Sequence, residues 1–306
     1  MSDHEPTDAE LGQIETLPRP PSIAAVRTTN VWIIEWLSPN EKRTGRALHE
    51  WMEGRRAGWS NYCPCQTKAE VLASIARAEH LAKKVGMIPV LHLEAHGGDD
   101  GMFPSSEADA EVLRWEELTV PLQSLNRATK CNLVVVVAAC TGFAVIRALN
   151  KGPLAPAIAI VGPDAEILPG QLLEGSKEFY RSWIAGNLSL TEIVLSASRE
   201  TGATHFVLEP FATFCYEVMA ENLIKSIRPV ERSKRLERLR VQFAAECALN
   251  NSEIEALLAR LPIVTHWEWL QEVWDHMFMI DVCPESRERF GVDWEEITRR
   301  VKLMAG

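Results

Sequence analysis

A histidine and a cysteine each follow a short apolar run of the sequence, and together they could perform nucleophilic catalysis. His96 comes directly after the run 88–95, and Cys140 comes directly after the run 132–139. An imidazole beside a thiol can accept the thiol proton, and the resulting thiolate attacks a carbonyl carbon. The imidazole then donates a proton to the leaving amine. The pair therefore indicates acyl transfer through a thioester on Cys140.

The residues next to this pair fit the same chemistry. Gly97 follows His96, and a glycine lets a substrate backbone come close. The backbone N–H groups of Gly97 and Cys140 would form an oxyanion hole at the substrate carbonyl. Asp99 and Asp100 follow, and we interpret them as a solvated turn, with substrate binding as the alternative. Thiol acyl chemistry requires neither a metal nor an organic cofactor, so none is predicted.

Two strands must bring the pair together. The run 132–139 is apolar without alternation, which is typical of a strand buried on both faces of a parallel sheet. Strand and helix patterns alternate from 31 to about 209, which predicts an α/β fold with a mostly parallel sheet and helices on both faces. Ligands of such sheets lie beyond the carboxyl ends of the strands. If the strands before His96 and Cys140 are neighbours, imidazole and thiol meet at that edge.

The chain divides into three parts by composition and pattern. Residues 1–21 are polar, acidic and spotted with proline, which predicts a flexible N-terminal tail. Residues 22–209 form the α/β domain. Residues 210–306 show only helical patterns and are interpreted as an all-helical extension. Its tryptophans, at 267, 269 and 274, are interpreted either as a partner surface or as packing against the α/β domain.

Composition excludes several other classes of protein. The 306 residues carry 42 acidic and 32 basic side chains, a net charge of −10, which argues against a nucleic-acid binder with a broad basic surface. No apolar run approaches the length that spans a bilayer, of about 18 residues, so no membrane association is predicted. The acidic N-terminus does not resemble a signal peptide. Seven scattered cysteines do not form a disulfide framework, and a cytoplasmic location is predicted.

Metal chemistry is the main alternative for the histidines and cysteines. His92 and His96 have the spacing of a zinc pair on a helix, but Pro89 and the surrounding residues favour a strand. The sequence His92-Leu-Glu94 matches half of a zinc deaminase signature, whose second half does not follow it. Cys63-Pro-Cys65 has no second ligand pair, so ordinary thiols are the preferred interpretation. No metal site is predicted.

The strand-end motifs resemble a known family. His-Gly after one strand and Ala-Cys-x-Gly after a later one are similar to the caspase-like cysteine peptidases, including their CHAT-type bacterial branch. Cys140 follows His96 by 44 residues, near the roughly 50 of the caspase pattern. The resemblance extends over 31–209. It implies a caspase-like sheet and a protease that uses a His96–Cys140 dyad on protein substrates.

Two positions depart from the caspase motif. Ala138 stands where caspases have a glutamine that helps to form a pocket for an acidic side chain, and Thr141 also differs. Cleavage after aspartate is therefore not implied, although Ala138 remains a candidate substrate-binding position. Residues 143–156 leave little room for a linker between two subunits, so the resemblance implies a single-chain enzyme.

The resemblance also implies a biological setting. Bacterial relatives act in antiphage and cell-death modules and cleave effectors such as gasdermin-like proteins. An activating partner protein is expected in such a module. The alternative is a non-catalytic scaffold on the same fold that docks its partners through the helical extension.

Overall fold

The centre of the fold is an eight-stranded sheet whose main strands are mostly parallel. In the computed structural model, the residues described are 17–21, 26–107, 110–149, 153–186, 188–201, 206–227, 233–234, 237, 240–241 and 267–305. The strands are β1 (Asn30–Trp36), β2 (Ser60–Pro64), β3 (Pro89–Gly98), β4 (Gly101–Phe103), β5 (Leu113–Arg114), β6 (Val134–Ala138), β7 (Ala159–Pro163) and β8 (Phe206–Pro210).

The spatial order of the main strands is β2-β1-β3-β6-β7-β8. Pairing is parallel from β2 to β7, whereas β8 is antiparallel to β7. The chain goes from β1 to β2 on one side and then crosses to β3 on the other side of β1. This reversal creates a switch point, where open α/β sheets bind ligands beyond their strand ends.

Helices alternate with the strands along the chain as far as β8, and further helices follow β8. They are α1 (Thr44–Glu53), α2 (Lys68–Val85), α3 (Thr119–Ala128), α4 (Val145–Ala148), α5 (Pro169–Ala185), α6 (Leu190–Thr201), α7 (Phe211–Ile227), α8 (Trp267–Met277), α9 (Arg287–Phe290) and α10 (Trp294–Ala305). Three short 3-10 helices cover Trp115–Leu118, Gly142–Ala144 and Pro284–Ser286. The predicted α/β fold with C-terminal helices is confirmed. The predicted helices over 231–249 and 252–261 lie almost wholly outside the described residues, as do 1–16 of the predicted tail.

Local sequence explains where the best-defined helix begins and ends. Thr67 precedes α2, and its hydroxyl accepts a hydrogen bond from the Glu70 backbone N–H at 3.2 Å. This bond satisfies one of the unpaired donors of the first turn. Gly86 ends the helix with φ +69°, a left-handed conformation that glycine adopts without steric cost. The sheet itself is stabilised by burial, since every residue of β1 and β6 is buried.

The hairpin of β3 and β4 extends the predicted strand. The apolar run predicts a strand that ends at 95, but β3 continues to Gly98 because β4 pairs with it antiparallel, with Gly97 opposite Met102. The Trp115 indole N–H donates to the Gly98 carbonyl at 3.0 Å and so holds the end of the hairpin. His96 therefore lies within a paired strand, not in a turn.

The described residues fall into two compact units. One is the sheet unit, which holds the described residues of Pro21–Phe211 and Met277–Arg289, and the other holds the described residues of Met1–Pro20, Ala212–His276 and Phe290–Gly306. Residues 277–289, placed in the extension by the sequence analysis, join the sheet unit. The Ala155 N–H donates to the Met277 carbonyl at 3.0 Å, and the Arg289 guanidinium donates to the Cys131 carbonyl at 3.0 Å.

The second unit has an aromatic core of its own. Trp274 packs edge-on against Trp294 with ring centroids 5.7 Å apart, and Tyr216 packs against Trp294 at 5.8 Å. The Trp274 indole N–H also donates to the Phe290 carbonyl at 2.6 Å. Trp274 is thus a packing residue of the helices, whereas Trp269 is 41% exposed.

Candidate functional site

The strands that carry His96 and Cys140 are neighbours. β3 and β6 pair in parallel, and the last pair in register is Glu94 with Ala138. His96 and Cys140 each lie two residues beyond that pair, and both are half-buried. The register therefore places His96 and Cys140 at neighbouring backbone positions of the carboxyl edge of the sheet, next to the switch point between β1 and β3.

The backbone at Gly97 touches the backbone at Cys140. A β-carbon placed on Gly97 would lie 2.3 Å from the Cys140 carbonyl oxygen, 2.8 Å from the Ala139 β-carbon and 3.3 Å from the Cys140 nitrogen. A side chain cannot fit at such distances, so glycine is required here. This close approach brings together the two residues predicted to form the oxyanion hole.

The turn after Cys140 is strained and tightly packed. Thr141 has φ +50°, in the left-handed region that a β-branched residue rarely adopts. Its N–H donates to the Ala165 carbonyl at 3.2 Å. At Gly142 a β-carbon would meet the Val137 carbonyl oxygen at 2.6 Å. Such strain persists only where the surroundings impose it, and it is concentrated at functional sites.

The segment after β7 forms one wall beside the thiol. The Cys140 Sγ lies 3.6 Å from the carbonyl oxygen of Ile167, close enough for a weak S–H hydrogen bond. Ile167 is buried, but the next residue, Leu168, is 68% exposed. This wall thus offers an apolar side chain to solvent close to Cys140.

The His96 ring is held from two directions. It stacks on the Phe103 ring of β4, with centroids 6.0 Å apart and planes inclined by 6°. Its Nε2 lies 3.3 Å from Oε1 of Glu41, in the loop between β1 and α1. The two atoms are close enough for an ion pair, but their geometry is not that of a hydrogen bond. The Nε2 atom itself is buried.

A buried polar cluster lies one step deeper in β3. His92 contacts Oε2 of Glu94 through Nε2 at 3.2 Å and the Tyr180 hydroxyl through Nδ1 at 3.1 Å. Burial, followed by the nearby Glu94 carboxylate, raises the pKa of Tyr180 well above its usual value, so this phenol keeps its proton. Tyr180 then donates to Nδ1, and Nε2–H of His92 donates to Glu94. The Thr44 hydroxyl donates to the other carboxylate oxygen of Glu94.

The second buried carboxylate, Glu35, stabilises the start of α1. Its Oε1 accepts from the backbone N–H groups of Gly45 at 2.7 Å and Arg46 at 3.3 Å. Tyr62 donates its hydroxyl to Oε2 at 2.5 Å, and Arg43 lies 3.4 Å away. A negative charge at a helix N-terminus is favourable. Glu35 and Glu94 lie opposite each other on β1 and β3, so together they anchor the end of the loop that carries Glu41.

The remaining predicted site residues lie in different surroundings. Asp99 and Asp100 are exposed at the turn between β3 and β4. Ala138 is completely buried within β6. Its side chain presents no surface to a substrate, so the structure does not support the substrate-binding role predicted for it.

Four other thiols, those of Cys63, Cys65, Cys131 and Cys283, are poorly suited to nucleophilic chemistry. Burial raises the pKa of Cys65 to about 12 and that of Cys131 to about 12. The pKa values of Cys63 and Cys283 are also raised by burial. A raised pKa keeps a thiol protonated at neutral pH and therefore unreactive. No group of three or more possible metal ligands occurs among the described residues.

Sequence reasoning missed three residues of the site. Glu41 lies in the loop after β1, and Phe103 lies on a three-residue strand too short to be predicted. Ile167 contributes its backbone carbonyl, which no residue type encodes. Of the three, only Glu41 could have been found from the sequence. Its carboxylate lies in the loop after a parallel strand, and such loops lie at the edge of the sheet where ligands bind.

Comparisons with known proteins do not assign the chain to a family. No protein-family model and no curated protein matches it. Within the described part of the chain, no helix has the length and apolar character needed to cross a bilayer.

Proposed function

We propose that this chain is a cysteine endopeptidase of caspase-like type, with Cys140 as nucleophile and His96 as general base and acid. The observation that carries the proposal is the parallel register of β3 and β6, which puts the two residues side by side at the carboxyl edge. The Gly97–Cys140 backbone contact and the strained turn at Thr141 support it. The strand-end motifs that resemble caspase-like peptidases agree with it.

The reaction proceeds in two steps, the acylation of Cys140 and the hydrolysis of the resulting thioester. His96 accepts the thiol proton of Cys140, and the thiolate attacks the carbonyl carbon of the scissile peptide bond. The N–H groups of Gly97 and Cys140 stabilise the oxyanion of the tetrahedral intermediate. The C–N bond then breaks as the imidazolium donates its proton to the leaving amine. His96 then accepts a proton from water, the hydroxide attacks the thioester carbon, and the C–S bond breaks. The imidazolium returns its proton to the Cys140 thiolate.

The substrate is a protein segment that reaches Cys140 in an extended conformation. The turn at Asp99 and Asp100 and the side chain of Leu168 are exposed to solvent, and we assign both to the binding of this segment. In the biological setting implied by the resemblance, the substrate is a defence effector, such as a gasdermin-like protein, and a partner protein switches the enzyme on.

Covalent trapping tests the proposal without knowledge of the substrate. The full chain is treated at neutral pH with a mixture of electrophilic peptide probes, digested and mapped by mass spectrometry. We expect Cys140 to carry the probe before Cys65 and Cys131, whose pKa values burial raises to about 12 and whose thiolates form only as the pH approaches that value.

The matched control is the variant Cys63→Ala, which removes a half-buried thiol of raised pKa outside the site. It should be labelled at Cys140 as fast as the wild type. Labelling of Cys63 or Cys65 in place of Cys140 would contradict the proposal. If Cys140 is unreactive in the folded chain, the non-catalytic scaffold is favoured instead.

A further inference from the structure

We propose that Glu41 is the positioning residue of His96, holding a proton on Nε2 so that Nδ1 is the nitrogen that accepts the Cys140 proton. This inference rests on the proposed function, because it assigns a third member to the dyad.

The first observation is the environment of Nε2. This nitrogen is buried and forms no hydrogen bond within the described residues, yet Oε1 of Glu41 lies 3.3 Å from it. A buried polar atom without a hydrogen-bond partner destabilises the folded state. A small rotation of the Glu41 side chain, which is 37% exposed, would align the hydrogen bond. Contacts of this kind are often poorly aligned until substrate binds.

The second observation is that the other nearby carboxylates are already engaged. Glu94 lies on β3 with His96, but its oxygens accept from Thr44 and His92. Glu35 accepts from two backbone N–H groups and from the Tyr62 hydroxyl. Both carboxylates are buried within these networks. Glu41 is therefore the carboxylate placed to act on the imidazole.

The third observation is that the loop of Glu41 is tied to the strand that stacks on His96. The Ser38 N–H donates to the carbonyl of Pro104, directly after β4, at 2.8 Å, and the Glu41 N–H donates to the Ser38 carbonyl at 2.9 Å. Phe103, the residue before Pro104, stacks on the imidazole. The hydrogen bond between the loop and the end of β4 therefore links Glu41, the neighbour of Nε2, to Phe103, which sets the plane of the imidazole ring.

The chemical role follows from the two ring nitrogens. A carboxylate at Nε2 favours the tautomer with its proton on that nitrogen, which leaves Nδ1 as the acceptor. When Nδ1 takes the thiol proton, the imidazolium is stabilised by the negative charge of Glu41. The Nε2 proton stays on Nε2 throughout, so Glu41 remains ionised.

The test measures how fast iodoacetamide alkylates Cys140 in the full chain at neutral pH, with the site mapped by mass spectrometry. The variant His96→Ala should lower the rate by up to about 30-fold, since an unactivated thiol is only a few per cent thiolate at pH 7. Glu41→Ala should lower the alkylation rate by about 10-fold. Loss of a residue that orients a histidine typically costs about 10- to 100-fold, and we expect the lower value here. Glu41→Gln keeps an acceptor without the charge and should fall between Glu41→Ala and the wild type.

The matched control is Glu50→Gln, the same change at an exposed position of α1, which should leave the rate unchanged within about twofold because exposed charges are screened. A second readout is the tautomer of His96, from ¹H–¹⁵N correlations of the imidazole. The wild type should show Nε2–H, and Glu41→Ala should lose that preference, a change that a merely structural role would not produce.

The outcomes separate the two claims. If His96→Ala slows alkylation but Glu41→Ala matches the wild type, the inference is overturned and the dyad stands. A wild-type spectrum with the proton on Nδ1 would also overturn it. If His96→Ala leaves the rate unchanged, the proposed function fails, and the role of Glu41 fails with it.

Discussion

The variant Cys140→Ala should lose all peptide-bond cleavage while it remains folded. Removal of a protease nucleophile lowers kcat by about 10⁴- to 10⁶-fold, because the residual oxyanion hole alone cannot form the acyl-enzyme. Cys140 is half-buried in a turn, so shortening its side chain leaves little cavity and should affect stability only slightly. The measurement is digestion of a proteome-derived peptide library by the full chain, read by mass spectrometry.

The control for this prediction is again Cys63→Ala, which should cut the same peptides at the wild-type rate. Equal melting temperatures would show that Cys140→Ala is folded. If Cys140→Ala cuts the library as fast as the wild type does, Cys140 is not the nucleophile.

The second large effect is expected from Gly97→Ala. The new β-carbon would lie 2.3 Å from the Cys140 carbonyl oxygen and 2.8 Å from the Ala139 β-carbon, both far inside van der Waals contact. The opposing atoms belong to backbone and to a β-carbon, so they cannot rotate away, and the ends of β3 and β6 must separate. Overpacking of this kind costs about 3 kcal/mol. A displacement of about 1 Å at the nucleophile would lower the rate of cleavage by about 100-fold.

Denaturant unfolding measures the loss of stability in Gly97→Ala, and the rate at which the variant cleaves the peptide library measures the loss of activity. The matched control is Gly170→Ala in α5, where a β-carbon meets nothing within 4 Å. Since alanine is favoured over glycine in a helix, this control should be as stable as the wild type or more stable by up to about 1 kcal/mol. The claim that the strands touch at Gly97 is wrong if both variants unfold at the same denaturant concentration.

Much of the fold could be predicted because the sheet is encoded locally. The run before Cys140 is apolar on both faces, and β6 is indeed a fully buried strand between two parallel neighbours. Gly86 marks the end of α2 because a left-handed residue is needed there. The position of Cys140 just beyond β6 followed from the same patterns, whereas His96 lies within β3. The peptidase assignment itself stays a prediction.

What sequence could not predict depends on long-range pairing. β4 and β5 have three and two residues, too few to show a periodicity, yet their pairing extends β3 through His96. Residues 277–289 follow helical patterns in the sequence, but they join the sheet unit through long-range hydrogen bonds to Ala155 and Cys131 that no local pattern encodes. Glu41 approaches His96 only because a loop after β1 is tied to Pro104. Such contacts emerge from tertiary structure.

The most direct test of the account is a crystal structure of the full chain reacted with a peptide aldehyde. We predict a bond from Cys140 Sγ to the former aldehyde carbon, with the hemithioacetal oxygen facing the N–H groups of Gly97 and Cys140 and the His96 ring within hydrogen-bond reach. A bond to a different cysteine, or a His96 ring on the opposite face of the sheet from the trapped sulfur, would contradict the account.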